Sequence, residues 1–148
     1  MEQPKHVYGI YIRCTPQQLW DGITNGGGAR QYFHDRAIES DWEVGSPVAF
    51  RNRDGSLVIE GEVLEVDEPR RLSITWHVLY NPAVASERPS RVTWEIVQHG
   101  VACRLSLVHD DFDGETPTYH GVAEGWLVLI CSLKSLLETG KPLLVALD

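Results

Sequence analysis

The chain has 148 residues, 13 basic and 21 acidic side chains, and a formal charge of −8. That length suits one domain, residues 1–148, with a sizeable core. A hydrophobic share of 43% beside 23% charged residues excludes a disordered chain, and the acidic balance, with no basic run beyond Arg70-Arg71, speaks against nucleic acid as a partner.

The first residues, Met1-Glu2-Gln3-Pro4-Lys5, lack the apolar region of a secretory signal. His6 to Arg13 is β-branched and aromatic, with Tyr8, Ile10 and Ile12 on one face, and predicts a strand. Thr15-Pro16-Gln17-Gln18 is a capping-box pattern with proline at the first helical position. It predicts a short helix burying Leu19, Trp20 and Ile23, broken by Gly26-Gly27-Gly28. A second short helix is expected over Ala29 to Phe33. From Ala37 to Asp111 strand follows strand, with reversals at Asp54-Gly55, Glu68-Pro69 and His99-Gly100. Ser46 to Arg51 should pair with Leu57 to Val66. Leu72, Ile74, Trp76 and Val78 share one face, as do Val92, Trp94 and Ile96, and then Cys103, Leu105, Leu107 and His109. The result is an antiparallel meander with one apolar face.

Beyond the acidic loop Asp110 to Glu115 the period changes. Val122, Trp126, Ile130, Leu133 and Leu137 recur at three- and four-residue spacing, widened by Leu129 and Leu136. With Leu127 and Val128 also apolar, most of this helix's circumference is expected to be covered. Gly140 and Pro142 end it. No stretch is continuously apolar for the roughly 20 residues of a membrane span. Cys14, Cys103 and Cys131 form no CxxC pair, so a reducing, cytoplasmic setting is expected, without a disulfide framework or zinc ribbon.

Ile12-Arg13-Cys14-Thr15-Pro16-Gln17-Gln18-Leu19-Trp20, Val44-Gly45, Gly61-Glu62-Val63-Leu64-Glu65-Val66, Arg71-Leu72-Ser73-Ile74-Thr75-Trp76 and Gly125-Trp126, in that order, carry a resemblance. The chain resembles the START-like, or birch-pollen-allergen-like, helix-grip superfamily (SRPBCC). Within it, the chain is most similar to the subgroup related to the activator of the ninety-kilodalton heat-shock chaperone's ATPase. The resemblance implies an α+β fold: a curved antiparallel sheet of about seven strands gripping a long C-terminal helix, two short helices after the first strand, and a cavity between sheet and helix. It also implies three functions: carrying a small lipophilic molecule, cyclase or hydrolase chemistry, or binding a chaperone. Tyr32-Phe33 stands where the family often has a Trp before the Phe.

In the cavity that the resemblance implies, strand and helix register turn Phe50, Ile74, Trp76, Val92, Trp94, Leu107, His109, Trp126 and Ile130 inward, and with Phe33 near the mouth they make the candidate ligand-binding set. Plain core packing is the alternative for its aromatics. His109 is either the cavity's polar handle or a satisfied core histidine. As a handle it would weaken binding below about pH 6, and in the enzymatic alternative it would work with a carboxylate such as Glu65. His77 reads as outward. Asp110, Asp111, Asp113 and Glu115 read as a solvated turn rather than a cation loop, and no spacing marks a metal or cofactor site. Cys103, inward among leucines, reads as an inert thiol. The apolar Leu143 to Leu147 either packs on its own domain or forms a homodimer contact. A small hydrophobic molecule is the expected partner.

Overall fold

The computed structural model describes residues 4–25, 32–33, 35–143 and 145. Strand β1 (His6–Ile12) leads into helix α1 (Pro16–Thr24). The capping box forms as the spacing dictates. The Thr15 hydroxyl accepts from the Gln18 N–H at 3.1 Å, and the Gln18 side chain accepts from the Thr15 N–H at 2.9 Å. Leu19, Trp20 and Ile23 are buried. Gly26-Gly27-Gly28 and residues 29–31 of the expected second helix lie outside the described residues, while Tyr32 and Phe33 form a buried turn.

Six further strands complete the sheet: β2 (Ala37–Ser40), β3 (Pro47–Arg51), β4 (Leu57–Asp67), β5 (Arg71–Val78), β6 (Ser90–His99) and β7 (Ala102–Asp110). The order is β1-β7-β6-β5-β4-β3-β2, antiparallel throughout, so the meander runs from β2 to β7 and β1 closes onto its end. Register breaks at Phe50/Arg51 and Val63/Glu65 bend the β3–β4–β5 part. Gly61 sits at that bend. A Cβ there would stand 2.0 Å from the Thr75 carbonyl oxygen, a separation only glycine permits.

One helical turn, α2 (Pro82–Ala85), interrupts the strand-after-strand pattern expected between Ala37 and Asp111. The Asn81 side chain accepts from the Ala83 N–H at 2.9 Å, and Pro82 occupies the first position, where no donor is needed. His77, on the outward face of β5 as its register predicts, anchors the turn by donating from Nε2 to the Ala85 carbonyl at 2.8 Å and is thereby part-buried.

Helix α3 (Pro117–Thr139) is capped by Thr116 and ends at Gly140, whose φ of 84° lets its N–H reach the Leu136 carbonyl. Trp126, Leu129, Ile130 and Leu133 face the sheet and are buried. The expected cover over most of the circumference is not found. Leu127 is 45% exposed, because the concave sheet reaches only one side of the helix. By length and composition α3 could cross a membrane, but its buried stripe belongs to the hydrophobic core. Leu143 and Val145 are exposed, and the remainder of the apolar tail lies outside the described residues.

Candidate functional site

A cavity of about 210 Å³ opens between α3 and the β4–β5 part of the sheet. Alternation on β5 delivers Trp76 and Val78 to its wall, and Ile59 enters from β4, directly opposite Val78. Phe33 and Arg36 come from the segment before β2, and Tyr80 from the segment after β5. The helix supplies Gly121, Val122, Gly125, Trp126 and Leu129, a three- and four-residue spacing that keeps all five on one face. At Gly121 and Gly125 an added Cβ would meet no atom within 4 Å. Glycine inside a helix costs about 1 kcal/mol against alanine. No packing neighbour on this side requires it, and its consequence here is open space.

The floor is aromatic. Phe33 and Phe50 have centroids 5.2 Å apart, Phe50 and Trp76 4.9 Å, Trp76 and Trp126 5.0 Å, and Trp94 meets Trp126 edge-on at 6.1 Å. Two residues of this wall each carry a buried polar atom without a counterpart among the described residues. Trp76 is 4% exposed, and its indole N–H finds no acceptor among the described residues. The Arg36 guanidinium lies 6.0 Å from the Phe33 ring and 5.6 Å from the Tyr80 ring, with its Nε buried and unpartnered. Burial lowers the Arg36 pKa from the ordinary guanidinium value, against an opposing contribution from Tyr80. The described lining contains no Asp or Glu.

Nine of the ten candidate residues divide into three groups, and His109 stands apart. Phe33, Trp76 and Trp126 line the cavity. Phe50, Trp94 and Ile130 surround a second void of about 10 Å³, no larger than one water needs. Ile74, Val92 and Leu107 are fully buried in the core. His109 does not figure on the cavity wall. It is 0% exposed, and both ring nitrogens are engaged. The Trp126 indole donates to Nδ1 at 2.9 Å, Nε2 lies 2.7 Å from the Ser90 hydroxyl, and that hydroxyl is 3.2 Å from the Trp76 carbonyl. Because an indole only donates, Nδ1 must accept. The proton is therefore on Nε2, which donates to the Ser90 hydroxyl, and that hydroxyl donates onward to the Trp76 carbonyl. Burial, with a smaller contribution from His6, pushes the His109 pKa down to about 3. The group is thus a neutral fastener joining α3 to β5, β6 and β7, so the structure replaces the expected polar handle and its response near pH 6.

Glu65 is not brought to His109. It is exposed and pairs with Arg71 beside Glu95, in the outer-face surroundings of Val108, whereas His109 points inward. The acidic loop is held by arginines: Asp111 and Asp113 lie 3.2 and 3.7 Å from Arg88, and Asp110 lies 2.9 Å from Arg91. Cys103 donates to the Cys14 carbonyl at 3.2 Å. Burial raises both thiols, Cys14 to about 12 with Cys103 adding to the shift, which leaves little thiolate at neutral pH. Among the wall residues that sequence reasoning missed, Gly121 and Gly125 carried a signal: two glycines one turn apart inside an otherwise strong helix. Arg36 carried none, since a single arginine before a strand is ordinary surface chemistry.

Comparison with known proteins places this geometry. The profile of the family described as activator of Hsp90 ATPase homolog 1-like protein matches residues 13–138. No curated protein matches the chain. Among solved structures, a protein from Mesorhizobium loti superimposes with a TM-score of 0.76 at 23% identity, covering 90% of this chain and 96% of that one. The Aha1 dimer from Colwellia psychrerythraea gives 0.74 at 18% identity, covering 93% and 98%. An HSP90 activator from Plasmodium falciparum gives 0.68 at 20%, covering 82% and 86%. At these identities the likeness carries the helix-grip fold.

Proposed function

The chain belongs to the activator of Hsp90 ATPase homolog 1-like family of START-like proteins, and from that premise we propose that it binds a small, largely apolar molecule between α3 and the sheet. The observation that carries this reading is the cavity of about 210 Å³, walled by Phe33, Trp76 and Trp126 and kept open by Gly121 and Gly125. The described wall offers Arg36 and Tyr80 as its titratable groups, with no paired acid and base, which favours binding over cyclase or hydrolase turnover. Small aromatic probes test it. Toluene titrated into the protein should change the fluorescence of the wall tryptophans and give a saturable isotherm, while Gly125→Leu, whose side chain would grow into the cavity, should abolish that binding with the fold retained. Equal binding by both proteins would refute the site.

Chaperone association is the second reading, favoured by the likeness to the Plasmodium falciparum HSP90 activator, of which the superposition covers 86%. Stimulation of the purified chaperone's ATPase by this chain would support it, and the absence of both binding and stimulation would dismiss it. Self-association, raised by the Colwellia psychrerythraea dimer, is read from sedimentation at several protein concentrations.

A further inference from the structure

Resting on the cavity reading, we propose that the bound molecule is a small carboxylic acid whose carboxylate is received by the Arg36 guanidinium and the Trp76 indole N–H. The first ground is charge. In a protein of net charge −8, Arg51, Arg53, Arg70, Arg71, Arg88 and Arg91 each have a carboxylate partner. Arg36, in the cavity wall, has none among the described residues and rests instead between the rings of Phe33 and Tyr80. An unpaired cation in a partly dry wall is the local requirement for an anion.

The second ground is hydrogen-bond polarity. Guanidinium and indole groups donate and never accept. Arg36 Nε and Trp76 Nε1 are both buried without an acceptor. A ligand group that only accepts satisfies both, whereas one that donates leaves them unsatisfied, with the desolvation penalty that this entails. Carboxylate is acceptor-only and matches the planar guanidinium fork. Volume and lining set the rest of the molecule. The cavity holds the equivalent of about seven waters and lies below the range of drug-sized pockets, so its occupant is one ring or a short branched chain. Phe33, Trp76, Val122, Trp126 and Leu129 supply the apolar surroundings for that body.

Calorimetry with three probes separates this inference from the reading beneath it: phenylacetate, its neutral amide phenylacetamide of the same size, and the smaller, wholly apolar toluene. Phenylacetate should bind about ten- to a hundred-fold more tightly than phenylacetamide, the range of a charge-assisted hydrogen bond. It should also move the Trp76 indole N–H resonance, assigned by its disappearance in Trp76→Phe. Arg36→Met, which keeps the apolar stem, should erase the preference, so that phenylacetate binds no more tightly than phenylacetamide. If the neutral probes bind and phenylacetate binds no better, the carboxylate assignment is overturned while the cavity reading stands. If none of the three binds the unsubstituted protein, the cavity reading fails and this inference falls with it.

Discussion

Acidification should destabilise this protein through His109 alone by an amount that can be worked out. In the folded chain Nδ1 accepts from Trp126 and Nε2 donates to Ser90, with the ring fully buried and its pKa near 3. In the unfolded chain the same imidazole has a pKa of about 6.5. Between these values the unfolded state binds a proton that the folded state refuses, so stability falls as pH falls. The contribution is fully present above about pH 6.5 and is lost progressively toward the folded value. By pH 5 the loss amounts to about 2 kcal/mol relative to pH 8, and by pH 4 to about 3 kcal/mol. Protonation would also place a hydrogen on Nδ1 facing the Trp126 N–H, opposing the bond that ties the helix to β7 there. Urea unfolding at pH 8, 7, 6 and 5 measures the effect, with His109→Gln as the control. Glutamine can still accept and donate but does not titrate. Every other residue is common to both proteins, so its contribution cancels in the comparison. The wild type should lose about 2 kcal/mol more than the variant between pH 8 and pH 5. Equal losses would refute the assignment of His109 as a neutral, proton-excluding fastener.

The other predictions concern packing. Trp126→Ala should cost about 3–5 kcal/mol, since it removes a buried aromatic and leaves Nδ1 of His109 without its donor, and the midpoint of urea unfolding reports it. A near-neutral result would mean that the helix is not seated on the aromatic floor. Gly125→Ala should raise stability by about 0.5–1 kcal/mol, because its Cβ meets open space in a helix interior. Gly61→Ala should lower it by about 1–3 kcal/mol, because its Cβ would collide with the Thr75 carbonyl oxygen. The opposite signs of the two glycine substitutions, read by thermal or urea unfolding, check the cavity and the β4–β5 bend together.

Sequence alone determined the order of the strands and of helices α1 and α3, though not the turn α2, together with the inward faces. Strand alternation has a period of two and helix packing a period near 3.6, so Trp76, Trp94, Leu107 and His109 declare their side of the sheet, and Trp126 its face of the helix, without any knowledge of what lies opposite. The capping box at Thr15 and the stop at Gly140 were equally legible, because caps are chemistry between residues a few positions apart. Inward, however, is not the same as lining a cavity. His109 and Trp76 share a face in register, yet one is locked between Trp126 and Ser90 while the other borders open volume, a distinction set by how far the sheet stands from α3 at each point. Arg36 belongs to the wall because the turn at Phe33 and the segment after β5 bring the Phe33 and Tyr80 rings within 6.0 and 5.6 Å of its guanidinium. Leu127 stays exposed because a single sheet covers a single face of a cylinder. Periodicity assigns a residue to a face, but whether that face meets a side chain, a hydrogen bond or a void depends on separations between segments far apart in the chain, and those exist only once the sheet has curved around the helix.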